Sequence, residues 1–454
     1  MRANNFGENP NFQKSTINFL ASAAKLYTKK TGFDWGGAFE FRATGGKEAE
    51  IQIIEAYLKG KYGPLQLKAG RSRDVIGLMD TTLSSGSFSM SGNTFGIPKI
   101  ELAIPEYWEL PILRGAIAIK GNFSFGWVGT TSIGEDIGHF LRSDITEVKS
   151  YLHQKSLYAR FGLADAFVNV HAGFNHQVMY GNENKIFTNF DLSDVQSFIY
   201  ALTGKTWYDN QGSNTKLGNH LGSIDLGITL QTNSFGRLFL YRQQFYDVGA
   251  LAHGANLRDG LTGLSFQPSP SDRSFRLKKV LVEYLFTKNQ AGELWSKLTP
   301  SGDEDYYNNF MYLQGWSYEN RAIGNPLLTP KHEARTDLRS KKDQYFINNR
   351  VIAGNLGVIL SIKRAEILVR GTYSANYGTY GTSSIGTSRN LIRFPIAPPY
   401  FEKVNQFSAL TDVKLSLRNG WALHLACAFD SGKLLNNNFG ALVGIRKQLV
   451  FFGK

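Results

Sequence analysis

The side chains best suited to chemistry in this chain are arginines and aromatic rings set in polar stretches. Arg71 and Arg73 follow a strand-like run, Arg321 opens the stretch to Pro326, and Arg370 falls on the polar face of another strand pattern. Guanidinium forks grip carboxylate and phosphate through paired hydrogen bonds. Trp207, Tyr208, Trp295, Tyr306, Tyr307 and Trp316 offer faces on which sugar C–H groups stack, and Asn93, Asn308, Asn309 and Asn325 could bond hydroxyls. Arg71, Arg73, Asn93, Trp207, Tyr208, Tyr307, Asn308, Trp316, Arg321, Asn325 and Arg370 are therefore the candidate residues for holding an acidic glycan, while the basic residues equally suit lipopolysaccharide phosphates or a water-filled lumen, and rings of this kind more often plug a loop or form a girdle.

Catalytic equipment is not recognisable. No HExxH, GxSxG or CxxC occurs, and no nucleotide-binding glycine motif stands between a strand and a helix. His171 and His176 lie five apart on a strand pattern and so face opposite sides, which is poor metal geometry. Glu135-Asp136 and Asp303-Glu304-Asp305 sit in expected loops, where paired acids are more often solvated charges than a glycosidase pair. Neither enzyme activity, a metal nor a cofactor is expected. The net charge of +13 admits nucleic acid as a partner, but the stacking modules that would read it are missing.

The elements that position these residues are strands. Among 454 residues, 47 glycines, 32 phenylalanines and 21 tyrosines accompany only 13 prolines, a balance that suits many strands and turns. No apolar run is long enough for a membrane-crossing helix, which leaves a β-barrel open because lumen-facing polar residues dilute its hydropathy. Met1 to Gly7 lacks the pattern of a secretion signal, so an outer-membrane reading expects a leader upstream. The lone Cys427 reads as a small outward residue of an alternating strand.

Alternation recurs along the chain. Phe33, Trp35, Phe39 and Phe41 oppose Asp34, Glu40 and Arg42; Val168, Val170 and Phe174 oppose Asn169, His171 and Asn175; Ile224, Leu226 and Ile228 oppose Asp225 and Thr229. Short connections near 29–32, 62–64, 164–167, 233–236, 363–364 and 418–420 alternate with long ones near 129–154, 180–221, 290–349 and 381–403. Short and long therefore fall at opposite ends. Parity places all of 290–349 at the long end and leaves about seventeen strands, with a short one at Arg2–Gly7 making about eighteen. Asp191–Leu202 reads as a helix within a loop, capped by Ser193. The expected fold is all-β: one domain over 1–454, a transmembrane antiparallel β-barrel with short periplasmic turns and long extracellular loops.

The segment Gly70-Arg71, Gly77 and LSSGSFSMSGNTFGIPKIELAIPEYWELP (83–111) resembles the signature of the Wzi-type capsule assembly proteins. Tyr307-Asn308-Asn309, Gly315-Trp316, Arg321–Pro326 and Ser374–Tyr380 resemble further blocks of that family. The resemblance implies a non-enzymatic outer-membrane barrel of Gram-negative bacteria that holds capsular polysaccharide at the cell surface. Its partners would be acidic capsular polysaccharide, outer-membrane lipid and lipopolysaccharide, and other surface assembly proteins. A porin or sugar channel is the alternative. Arg71 to Pro98 is expected to fold into or over the lumen, with Arg71 and Arg73 held against inward carboxylates such as Glu40 or Glu101, or against acid groups of the glycan.

Overall fold

The computed structural model describes residue 2 and residues 15–29, 31–46, 49–134, 145–187, 190–208, 214–247 and 249–450. Among them, 17 strands form one sheet, each paired antiparallel with the next in chain order, from Thr16–Lys25 to Asn438–Lys447. The alternation decides which side faces what. Where Val168–Tyr180 lies against Asn219–Thr232, Val170 pairs with Ile228, Ala172 with Leu226 and Phe174 with Ile224. Phe174, Ile224, Leu226 and Ile228 are exposed, while Asn175, Ser223, Asp225 and Thr229 between them are buried. A wall with its apolar side chains outside and its polar ones inside is the pattern of a barrel in lipid. Phe33, Tyr62, Phe161, Phe235, Phe275 and Trp421 stand exposed beside the short turns, as an interfacial aromatic girdle requires.

The connections segregate as expected. One end carries 26–32, 63–64, 110–116, 162–167, 233–235, 269–274, 363–364 and 417–420; the other carries 73–96, 133–146, 181–218, 247–259, 287–350 and 377–403, and a short connection, 433–437, that departs from the expectation. The connection expected at 129–154 is shorter, because pairing continues from Gly129↔Ser150 to Ser132↔Glu147 and lifts that hairpin beyond its neighbours. The expected strand at Arg2–Gly7 lies outside the described residues apart from Arg2. That arginine is buried in the interior, its N–H donating to Asp430 at 3.0 Å and its guanidinium to the Pro326 carbonyl and Thr329. The helix forms at Asp194–Thr203, where the Ser193 Oγ accepts from the Gln196 N–H and the Gln196 side chain returns to the Ser193 N–H.

The core lies inside the wall. Residues 73–96 turn into the lumen, and 287–350 folds in from the long-loop end to meet them. Phe88 stacks on Phe245 at 4.2 Å between ring centroids, and Tyr306 meets it edge-on at 5.0 Å. Gly324 permits the close approach of the two segments, since an added Cβ would fall 2.0 Å from the Phe88 carbonyl oxygen. The wall holds the plug through polar groups. Glu283 accepts from the Ser84 hydroxyl, the Ser85 N–H and the Tyr241 hydroxyl, each at 2.6 Å. Asp225 accepts from the Leu78 N–H at 2.8 Å, and Asn355 donates to the Leu83 carbonyl at 3.1 Å.

Glu283→Ala leaves several buried donors unpaired, at about 1–3 kcal/mol for each one that stays unsatisfied. The expected outcome is a lower temperature for the heat-induced gel shift, with new conductance in planar bilayers. An unchanged shift and silent bilayers would assign the anchoring of the plug to its apolar contacts instead.

Candidate functional site

Four charges close the base of the plug. Lys68 lies 2.8 Å from Asp74 and 3.0 Å from Glu101; Lys99 lies 2.8 Å from Asp74 and 3.3 Å from Glu101. Burial alone would raise the Asp74 carboxyl, but the two ammonium groups outweigh it and hold it below the ordinary carboxylate range. Arg73 reaches Glu40 at 3.2 Å, as expected, and Glu55 accepts from its backbone N–H at 2.7 Å. Among the described residues Arg71 pairs with no carboxylate. It falls on the opposite parity from inward-facing Lys68, and its guanidinium donates to the Ile53 carbonyl at 2.9 Å and the Tyr318 hydroxyl at 2.7 Å. Glu101, the other expected partner, is taken by the two lysines.

Several residues read from sequence as glycan contacts instead hold the plug. Trp316 is fully buried and its Nε1 donates to the Ser89 carbonyl at 2.7 Å. The Tyr307 hydroxyl donates to the Phe88 carbonyl and accepts from the Asn325 N–H, and the Asn325 amide reaches the Gly86 carbonyl at 2.5 Å. Asn308 exchanges hydrogen bonds with the backbone of Phe346 at 2.8 and 3.0 Å. Trp207 is buried against Phe190 and donates to Asp191 at 3.0 Å, leaving Tyr208 as the exposed ring of that pair. Arg321 packs its guanidinium over Phe95 beside the Asn93 carbonyl. Arg73, Asn93 and Arg370 share one place, lining a chamber of about 550 Å³ beneath the plug with Glu366, Asp412, Lys414 and His424. Arg370 also donates to the Thr82 carbonyl at 2.7 Å.

At the opposite end, three loops assemble a surface that sequence spacing could not foretell. Arg258 from 247–259 lies over the Trp295 ring at 4.1 Å, and Arg393 from 377–403 donates to the Gly292 carbonyl at 3.0 Å. Trp295, Arg258, Leu294 and Leu391 are exposed there. Trp295 was legible as a ring in a loop; its arginine neighbours were not, because they come from other loops.

Buried carboxylates support this surface. Asp259 accepts from the Asn289 and Gln290 N–H groups and from the Tyr306 hydroxyl at 2.8 Å, and Glu304 accepts from Ala250 N–H and Asn256. Burial pushes Asp259 up to about 7 despite those bonds, and it raises Glu304 and Asp247 beside it. Asp303 and Asp305 are likewise tied, to Ser388 and to Asn308, Gln344 and Asn349, so this acidic run is structural. Glu135-Asp136 lies outside the described residues.

A carboxyl raised in the folded state keeps a proton that the unfolded chain gives up near pH 4, so its contribution is complete below about 4 and lost as pH rises through about 7. The loop cap should therefore melt at a lower temperature at pH 8 than at pH 5.5, with Asp259→Asn removing much of the difference. Equal melting at both pH values in the unsubstituted protein would overturn this account.

The model of the family "Capsule assembly protein Wzi" matches residues 8–329. No curated protein matches the chain in sequence. Among solved structures, Escherichia coli Wzi, described as an outer membrane protein involved in group 1 capsule assembly and a carbohydrate-binding β-barrel, aligns with TM-score 0.56 at 11% identity, over 95% of this chain and 83% of that one. Pseudomonas aeruginosa OpdN aligns with TM-score 0.42 at 10% identity, over 97% of this chain and 96% of that one. Pseudomonas aeruginosa OprD gives 0.41 at 10%, over 95% and 88%. At such scores the last two carry no argument. The family match spans well over half the chain and falls on a wall that is apolar outside and polar within: this protein belongs to the Wzi capsule assembly family of outer-membrane β-barrels.

Proposed function

We propose that this protein holds acidic capsular polysaccharide at the cell surface, without catalysing a reaction on it, and so attaches the capsule to the outer membrane. The observation that carries the reading is the exposed Arg258–Trp295 stack with Arg393 at the long-loop end, above a lumen filled by 73–96 and 287–350. A ring face takes the C–H side of a sugar while a guanidinium beside it takes a uronate or phosphate. Family membership supports the same function, and the E. coli relative is described as carbohydrate-binding. Arg321 and Tyr208 are further contacts in this reading. Arg73, Asn93 and Arg370 line the chamber at the other end and would meet a chain or partner arriving from the periplasm. Lipopolysaccharide phosphates and other surface assembly proteins are the remaining proposed partners.

The channel alternative requires the plug to leave. Its anchoring to Glu283, Asp225 and Trp316 favours a closed lumen, so the protein should be nearly silent in planar bilayers. A large steady conductance would favour the channel.

Purified protein should bind the acidic capsule of its own strain in a pull-down. Trp295→Ala and Arg258→Ala should each weaken that binding roughly two- to tenfold, as expected for about 0.5–1.5 kcal/mol of ring stacking, while leaving barrel assembly intact. Failure to bind any acidic surface polysaccharide would overturn the proposal.

A further inference from the structure

The helix Asp194–Thr203 lies outside the barrel, flat against its wall. Gln154 and Asn175 reach the plug at Met90 and Ser89, so Tyr151, His153 and Lys155, like His176, Val178 and Tyr180, point outward. The helix covers them. Phe198 packs against Phe125, His153 and Tyr180, Ala201 is buried with Val178, and the Lys155 ammonium bonds the Leu202 carbonyl. Leu157 and Phe174, a paired row of the exposed apolar band, lie just below. Tyr180 stands six residues beyond Phe174, roughly 20 Å further along the strand. The upper end of the helix therefore lies toward the long-loop end of the wall, beyond that row.

Between that end of the helix and the wall is a cleft of about 590 Å³ lined by Phe125, Trp127, Tyr151 and Tyr180, with Asn182, Glu183, Asn184, Asp194 and Ser197 supplying polar groups. Among the described residues no lysine, arginine or histidine lines it. Gly181 makes room for one wall: its φ of +120° suits glycine, and an added Cβ would fall 2.5 Å from the Tyr151 ring. The Glu183 side chain is only 2% exposed. Its Oε1 accepts from Tyr312 at 2.8 Å and from the Gly181 N–H at 3.0 Å. Its Oε2 and the Asn184 Oδ1 are buried acceptors without a hydrogen-bond partner among the described residues. Buried acceptors left idle are costly and mark a place for donors. Aromatic faces beside idle acceptors match a sugar ring bearing hydroxyls, and the Asp194 carboxylate disfavours uronate or phosphate.

We propose that this cleft is a second glycan site, taking an uncharged pyranose such as a neutral hexose or an N-acetylhexosamine, stacked on Trp127 or Tyr151 and donating hydroxyls to Glu183 and Asn184. It rests on the outer-surface placement used above but not on the arginines of the loop end. Such a sugar could come from lipopolysaccharide core or from neutral residues of the capsule; the chemistry is shared, and the source is a matter for the test.

The test uses the full detergent-purified barrel with two probes from the strain that makes the protein: deacylated lipopolysaccharide core oligosaccharide and sized capsule fragments. Binding is read by ligand-observed NMR for the unsubstituted protein, Trp127→Ala, Asn184→Ala and, as a loop-end control, Trp295→Ala. Each variant is first checked for heat-modifiable migration. The expected result is that at least one probe loses about tenfold in affinity with Trp127→Ala and with Asn184→Ala, while its cleft contact signals survive Trp295→Ala. The probe that responds names the source. Capsule binding lost with Trp295→Ala but untouched by both cleft substitutions would overturn the cleft and leave the loop-end reading standing. Binding of neither probe would overturn both.

Discussion

A barrel wall in lipid has to be apolar outside, and period-two alternation then makes its inner face polar. Everything else in this molecule follows from how that inner face is satisfied. Asp225, Glu283, Asn175 and Asn355 project inward where a lumen full of water would serve them. Instead a serine- and glycine-rich segment lies against them, so that backbone N–H and C=O groups and small hydroxyls replace solvent at 2.5–3.1 Å. Small side chains are needed because only they let a backbone come that close to a wall. The aromatic residues of 287–350 then close the other side of the same segment, which gives this membrane protein an apolar core inside its polar lining.

The wall was largely legible in the sequence. Strand patterns, short turns, the end-to-end segregation of connections and the helix capped at Ser193 all follow from local chemistry, and the structure carries each of them. The inward fold of 73–96 was legible too, from its small polar residues leaving a strand with an inward polar face. What could not be read was which ring or amide would be spent on packing. In sequence Trp316 and Tyr307 suit plugging as well as stacking on a sugar, and Asn325 suits hydroxyls; the partners that decide between them, Ser89, Phe88 and Gly86, are more than two hundred residues away. Arg71 was misread for a simpler reason. One step of parity sends its guanidinium to Ile53 and Tyr318, away from the lumenal carboxylates.

Charge is divided by location in a way that net charge conceals. The cations nearest the plug are neutralised in the Lys68, Asp74, Lys99 and Glu101 group, and so contribute to structure rather than to ligand attraction. At the long-loop end the Arg258 guanidinium stands over the exposed Trp295 ring, while the cleft on the outer wall has acids and, among the described residues, no bases. One polymer with both charged and neutral sugars would therefore find two chemically different surfaces on the same protein.

The plug lies early in the chain, and its holdfasts come late. Ser85 is bound to Glu283 across 198 positions, and Phe88 to Tyr307 across 219. The first four strands can pair as they enter the membrane, and Asn175 and Asp225 then offer the next segment part of its site, but the site is complete only when the second half of the wall has been inserted. The order of assembly is thus written into the topology: an incomplete barrel is an open one, and sealing is a late event that reports the arrival of residues 283 to 325.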